Sequence, residues 1–112
     1  METSELMTKI NRMPLGDVIA ERVLDAAKDG QLYKVTVRVG RPVEFSDGPR
    51  YLCPYQIAGI GDDVVRSAAG EDSLQAIELA FKMLGADLYY LHKDFRFTWF
   101  GKSELGFPKP NI

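Results

Sequence analysis

Cysteine and histidine are nearly absent from this sequence, and each shortage argues against a class of function. The 112 residues include one cysteine, Cys53, and one histidine, His92. A single cysteine cannot form an internal disulfide, so we expect a reducing compartment, by default the cytoplasm. One cysteine and one histidine are also too few for a metal site unless carboxylates supply the other ligands. We therefore expect no metal and no cofactor.

A basic excess, a phosphate-binding glycine loop and a long apolar run are missing as well. The net charge is −2, and the basic residues are spread along the chain without forming a stripe, which argues against binding a phosphate backbone. No window approaches the ~20 apolar residues of a membrane span. The polar start METSELMTKINR does not predict a secretory signal. We expect neither nucleic acid nor membrane as a partner.

The strongest pattern that is present predicts an amphipathic helix between Gly70 and His92. Apolar residues recur there at three- and four-residue spacing, which puts them on one helical face. They are Leu74, Ile77, Phe81, Leu84 and Leu88. Asp72 followed by Gln75 predicts a capping box at the start, and the helix is expected to end near residues 91–93.

The length of this helix excludes one kind of active site. At ~1.5 Å per residue the helix is roughly 28 Å long. If it is continuous, His92 lies at the opposite end from Asp72 and Ser73. A Ser-His-Asp triad built from these three residues is then geometrically impossible.

Alternation of apolar and polar residues predicts strands before the helix. Leu32–Val39 alternates cleanly, and Tyr51–Ile60 and Val64–Ala69 are expected to follow as two more strands. Pro54 cannot donate to a strand ladder, so a bulge or an unpaired side is expected there. Val18–Ala27 fits a helix and a strand about equally on periodicity.

Together these elements predict an α+β fold. We expect a four-stranded antiparallel β-meander packed by one long α-helix, with an extended aromatic C-terminal segment. Residues 1–16 are expected to be a flexible or short helical lead-in. Residues 17–112 are expected to form a single α+β domain.

A series of short motifs is informative mainly through its order. The motifs are Ala20-Glu21-Arg22, Asp29-Gly30, Cys53-Pro54-Tyr55-x-Ile57-x-Gly59, Ala69-Gly70-x-Asp72-Ser73-x-Gln75-Ala76 and Gly106-Phe107-Pro108. From about Ile19 to Pro108 the chain resembles an uncharacterised family of small bacterial proteins that carries only a domain-of-unknown-function label. The resemblance favours a strand for Val18–Ala27. It implies no activity, cofactor or catalytic residue, and it leaves any role of residues 1–16 open.

The residues most often used in catalysis have structural explanations here. Asp72 and Ser73 could bind an anion, but both residue types commonly cap the free N–H groups of a helix start. Cys53 shares a strand face with Tyr51 and Tyr55, which predicts a buried, inert thiol. His92 is expected to cap the end of the helix or to face solvent. We therefore predict no catalytic residue.

Aromatic residues crowd into the last part of the chain, between residues 89 and 107. They either close one end of the core, form an exposed patch for another chain, or stack on nucleic acid bases. The absence of a basic groove disfavours the third role. The candidate interface consists of Tyr89, Tyr90, Phe97, Trp99, Phe100 and Phe107.

The resulting prediction is a non-catalytic interaction module. A small sheet leaves open edges, so we expect a homodimer formed through an edge strand or through the aromatic C-terminal surface. An unidentified protein partner also stays open. The alternative is a small-ligand-binding protein or an enzyme with a pocket between helix and sheet. A cavity of a few hundred Å³ lined by several polar side chains would favour that alternative.

Overall fold

A computed structural model describes residues 13–46 and 50–110 of the chain. Within these ranges six strands and one helix follow one another. In chain order they are β1 (Val18–Lys28), β2 (Gln31–Gly40), β3 (Val43–Phe45), β4 (Arg50–Ala58), β5 (Val65–Gly70), α1 (Ser73–Leu91) and β6 (Arg96–Thr98). Most of the predicted lead-in falls outside the described residues, so its conformation stays a prediction.

The strands form one antiparallel sheet, and the α+β prediction is confirmed. The predicted number of strands is wrong, because the sheet has six strands and not four. Strands β1, β2, β4 and β5 are neighbours in that order, as in a meander. The two additional strands are short: β3 pairs with β4, and β6 pairs with the end of β1.

Pro54 accounts for the separation between β2 and β3. Both strands lie on the same side of β4, where Val39 pairs with Tyr55 and Val43 pairs with Leu52. Pro54 lies opposite the interruption between these two pairings. Because proline has no N–H to donate, the ladder loses a bond at this point. The unpaired side predicted for Pro54 is therefore confirmed.

The ambiguous segment Val18–Ala27 is a strand. It pairs with β2 along its length, and the two strands join through a two-residue turn at Asp29 and Gly30. Leu24 and Ala26 are buried, whereas Val23 before them and Asp25 between them are exposed. This alternation is the period-2 pattern of a sheet with one covered face.

The helix is continuous from Ser73 to Leu91. A side-chain oxygen of Asp72 accepts from the Gln75 N–H at 2.7 Å, and Gln75 Oε1 accepts from the Glu71 N–H at 2.7 Å, so the expected cap is present. His92 is the C-cap residue. It therefore lies at the opposite end of the helix from Asp72, as predicted. In the described part of the chain, no helix is both long and apolar enough to cross a membrane.

The predicted packing face of the helix is wrong at Leu74, whose side chain is 74% exposed. The residues that pack against the sheet follow a four-residue spacing instead. They are Ala76, Ala80, Leu84 and Leu88. The two alanines let the first half of the helix approach β5 closely, since a Cβ on Gly70 would collide with the backbone of Ala76. Large side chains are therefore needed to fill the space between helix and sheet only in the C-terminal half of α1.

The C-terminal segment, residues 99–110, folds back over the part of the sheet that the helix leaves uncovered. The Arg22 side chain of β1 lies 3.9 Å from the centre of the Trp99 ring and 4.9 Å from that of Phe107. Arg22 Nη1 also donates to the Leu105 carbonyl at 3.0 Å. Phe107 in turn packs on Phe81 of the helix, with ring centres 4.8 Å apart. The second layer therefore consists of α1 and this segment together.

Candidate functional site

The six predicted interface residues divide into a buried and an exposed group. Phe97 is fully buried in the core. Trp99 and Phe107 are partly buried, packed on the core and against Arg22. The exposed members are Tyr89 and Tyr90 on the last turns of α1 and Phe100 beyond β6. Only this second group is available to another molecule.

Phe100 occupies the tip of a tight hairpin. Trp99 and Lys102 exchange both backbone hydrogen bonds, at 2.8 and 3.0 Å, which leaves Phe100 and Gly101 as the two turn residues. Their φ angles are +50° and +76°. Positive φ at both central positions is the signature of a type I′ turn, in which Asn, Asp and Gly predominate. Phenylalanine is a poor choice for this position, because its side chain disfavours the left-handed region.

A second turn of the same shape shows which residue such a turn ordinarily takes. The turn between β1 and β2 has φ angles of +52° at Asp29 and +78° at Gly30. Asp-Gly is a preferred pair for this geometry. Phe100 departs from that preference and also leaves its side chain 84% exposed. Its ring lies 5.2 Å from that of the neighbouring Trp99, but its burial contributes little to offset the conformational cost of this position.

A cleft of about 410 Å³ begins next to this hairpin, between the end of α1 and the C-terminal segment. Its apolar wall includes Leu88, Tyr89, Leu105 and Phe107, and polar side chains from both segments form its rim. Ser103, which directly follows the hairpin, is one of the lining residues. The exposed aromatic tip and an apolar depression are thus neighbours on one surface.

A second cleft, of about 290 Å³, lies between the C-terminal half of α1 and the hairpin that joins β4 to β5. Arg66 on β5 and Asp87 on α1 form an ion pair across it, with Nη1 and Oδ2 3.9 Å apart. The Tyr55 hydroxyl from β4 also reaches this cleft and donates to the Met83 sulfur at 3.6 Å. Tyr90 lines the side nearest the helix end.

Burial affects both acidic groups of this second cleft. It raises the pKa of the Asp87 carboxyl, and the Arg66 guanidinium offsets that rise only in part. Burial also raises the pKa of Tyr55, and the negative charge of Asp87 adds to the increase. The tyrosine is therefore a neutral hydrogen-bond donor at neutral pH. Burial therefore disfavours the charged form of Asp87.

Replacing Asp87 with asparagine is expected to stabilise the fold at neutral pH. The folded state then no longer holds a charge that burial disfavours. Because the folded pKa is raised above the unfolded value of about 3.9, the destabilisation is absent below that pH and develops as the pH rises through the folded pKa. Urea unfolding at neutral and at strongly acidic pH should show an advantage for the variant that disappears on acidification. A variant less stable than the wild type at neutral pH would contradict this expectation.

The other residues that the sequence offered as candidates for catalysis have structural roles. Cys53 is fully buried, and burial raises the pKa of its thiol to about 11, so the reactive thiolate is scarce at neutral pH. His92 Nδ1 accepts a hydrogen bond from the Phe97 N–H at 3.2 Å, which ties the end of the helix to β6. Among the described residues, no group of three or more His, Cys, Asp or Glu side chains is arranged to hold a metal ion.

Sequence reasoning identified Phe100 but not its hairpin, and it missed the pair of Arg66 and Asp87. A Phe-Gly pair is not a hairpin signal, so the turn has no mark in the sequence. Arg66 and Asp87 lie on different elements and are brought together only by the packing of α1 on β5. No spacing rule reveals such a pair.

A comparison with known protein families identifies the family of this chain. It belongs to the family described as Domain of unknown function (DUF6968), whose model matches residues 20–109. The resemblance to an uncharacterised family is thereby confirmed. No curated protein and no solved structure matches the chain.

Proposed function

We propose that this member of the family is a non-catalytic interaction module that forms a homodimer through its C-terminal aromatic surface. The observation that carries the proposal is Phe100, exposed over 84% of its surface and held at a φ of +50°. Residues that conflict with their local conformation persist where function requires them. Aromatic residues, phenylalanine included, are enriched in protein interfaces relative to the rest of the surface.

The proposed partner is a second copy, because the hairpin tip and the adjacent 410 Å³ cleft complement each other. Around a two-fold axis, Phe100 of each copy enters the cleft of the other copy beside Tyr89 and Leu105. Such an interface uses the same surface twice, as cyclic dimers do. An apolar pocket that surrounds an aromatic side chain and excludes water is the arrangement in which hot-spot residues contribute most.

Light scattering coupled to size exclusion, recorded over a concentration series, tests the proposal. The wild type should approach twice the monomer mass as its concentration rises. The variant Phe100→Asn should remain monomeric over the same range. Trp99 is unsuitable for this test, because its ring packs on Arg22 and its removal would also damage the core.

Leu32→Asn is the matched control. Leu32 is also 84% exposed, and it lies beside the Asp29-Gly30 turn and is not among the residues that line the 410 Å³ cleft. This variant should associate like the wild type. A wild type that stays monomeric throughout, or a control that dissociates as completely as Phe100→Asn, would refute the assignment of this surface.

A further inference from the structure

The cleft between α1 and the β4–β5 hairpin contains polar groups whose partners within the described chain are poor. The Arg66 and Asp87 atoms are 3.9 Å apart, beyond hydrogen-bond distance. The Tyr55 hydroxyl donates to a thioether sulfur at 3.6 Å, and sulfur is a weak acceptor. The side chains of Arg66 and Asp87 are 63% and 30% exposed, so both charges are accessible from the cleft, whereas Tyr55 is only 2% exposed.

Burial disfavours the charged form of Asp87. Its side chain is 30% exposed, and its one ion-pair partner among the described residues lies at 3.9 Å. The free-energy cost of desolvating a carboxylate is offset only by close, well-oriented partners. Poorly paired ionisable groups in a cleft are candidates for ligand binding.

We propose that this cleft binds a small zwitterion, one that carries an ammonium group and a carboxylate on an apolar or aromatic body. The Arg66 guanidinium is the donor for the ligand carboxylate, and the Asp87 carboxylate accepts from the ammonium group. A ligand with a single charge would pair with Arg66 or with Asp87 and be repelled by the other, and Asp62 at the same cleft adds a second negative charge that an anionic ligand would meet. Both charges of a zwitterion find a partner.

The walls and the size of the cleft define the rest of the ligand. Ile57, Ile60, Leu91 and the ring of Tyr90 provide an apolar surface for its body. A volume of about 290 Å³ lies at the lower end of small-molecule pockets, which begin at about 300 Å³. That space suits a molecule of the size of an aromatic amino acid and is too small for a dinucleotide. This inference does not depend on self-association.

Titration with L-phenylalanine, followed by amide NMR, tests the proposal when two half-ligands are run beside it. Phenethylamine lacks the carboxylate, and 3-phenylpropionate lacks the ammonium group. The amino acid should bind saturably, with shifts at residues of the cleft, and each half-ligand should bind at least roughly tenfold more weakly, equivalent to about 1.4 kcal/mol. Half-ligands that bind as tightly as the amino acid, or the absence of saturable binding by all three, would overturn the proposal.

Variants locate the binding within the cleft. Asp87→Asn and Arg66→Gln should each weaken L-phenylalanine binding at least roughly tenfold. Asp25→Asn is the control, since it removes an exposed ion pair with Lys34 (2.6 Å) elsewhere on the sheet, and it should bind like the wild type. The Asp87 variant is expected to be more stable, so a loss of binding cannot be attributed to unfolding. Unchanged affinity in both cleft variants would contradict the assignment.

Discussion

Replacing Phe100 with asparagine is expected to stabilise the monomer and to weaken the dimer at the same time. Asparagine tolerates positive φ far better than phenylalanine, and a left-handed conformation costs an ordinary residue roughly 1–2 kcal/mol. Phe100 is 84% exposed, so its replacement removes little apolar surface that is buried within the monomer. The free energy of unfolding of the monomer should therefore rise by about 1 kcal/mol.

The effect of the same substitution on association should be larger and opposite in sign. Truncation of a central interface anchor costs about 2 kcal/mol or more. The dissociation constant should then increase roughly thirtyfold or more. Urea unfolding at a protein concentration low enough to keep the wild type monomeric separates the first effect from the second. A variant that is both less stable and still dimeric would contradict both parts.

The other hairpin offers the reciprocal experiment. Asp29→Phe places phenylalanine in a turn of the same geometry, with a φ of +52° in place of +50°. It should lower the free energy of unfolding by about 1 kcal/mol. It should not create a dimer interface, because the surface around this turn lacks the apolar cleft beside Phe100. Equal stability of Asp29→Phe and the wild type would show that strain at Phe100 is negligible.

Replacing Gly85 with alanine is expected to destabilise the protein, although alanine ordinarily stabilises a helix. In an exposed helix this change gains about 1 kcal/mol. Gly85 is buried under the C-terminal segment, and an added Cβ would overlap with the Pro108 carbonyl oxygen and lie 3.3 Å from the Phe107 Cβ. Overpacking of this kind costs about 1–3 kcal/mol. The segment must therefore shift or detach.

The single tryptophan reports on that displacement. Arg22 lies over the rings of both Trp99 and Phe107, so the fluorescence of Trp99 should move to longer wavelength if the segment lifts from the helix. Gly61→Ala is the control, because nothing lies within 4 Å of a Cβ there and its φ is not positive. It should leave stability and fluorescence near the wild-type values. A more stable Gly85→Ala with an unchanged spectrum would contradict the described docking of the segment.

Much of the fold could be predicted because its signals are local. The alternation in β2 and the capping residues Asp72 and Gln75 depend on neighbours in the sequence, and they indicated the strand and the helix start correctly. Leu74 was assigned to the buried face on the same periodicity, yet the stripe that packs on the sheet runs through Ala76, Ala80, Leu84 and Leu88. Periodicity identifies an apolar stripe but does not tell which residues beside it meet the partner surface.

The features that could not be predicted depend on tertiary contacts. The strand β6 is three residues long and forms on the edge that β1 offers, so its own sequence carries little strand signal. The convergence of Tyr55, Arg66 and Asp87 requires β4, β5 and α1 to be packed together. Likewise, the aromatic cluster was compatible with both a core and a surface. Only the structure separates Phe97, in the core, from Phe100, on the surface.

Phe100 and Asp87 share one property that connects the two proposals. Each is expected to lower the stability of the isolated fold, one through backbone strain and the other through a desolvated charge. Stabilising replacements at functional positions commonly reduce function. We therefore expect these two positions to be the ones where stability and function change in opposite directions.

Residue-resolved NMR of the wild type over a concentration series tests the central claim most directly. Amide signals of residues 99–102 and of Tyr89 should shift or broaden as the concentration rises. Signals of the equivalent turn at residues 28–31 should stay constant in the same spectra. Concentration-independent signals at Phe100, or changes confined to the edge of β5 that no described strand pairs with, would contradict the proposal that this hairpin joins two copies of the chain.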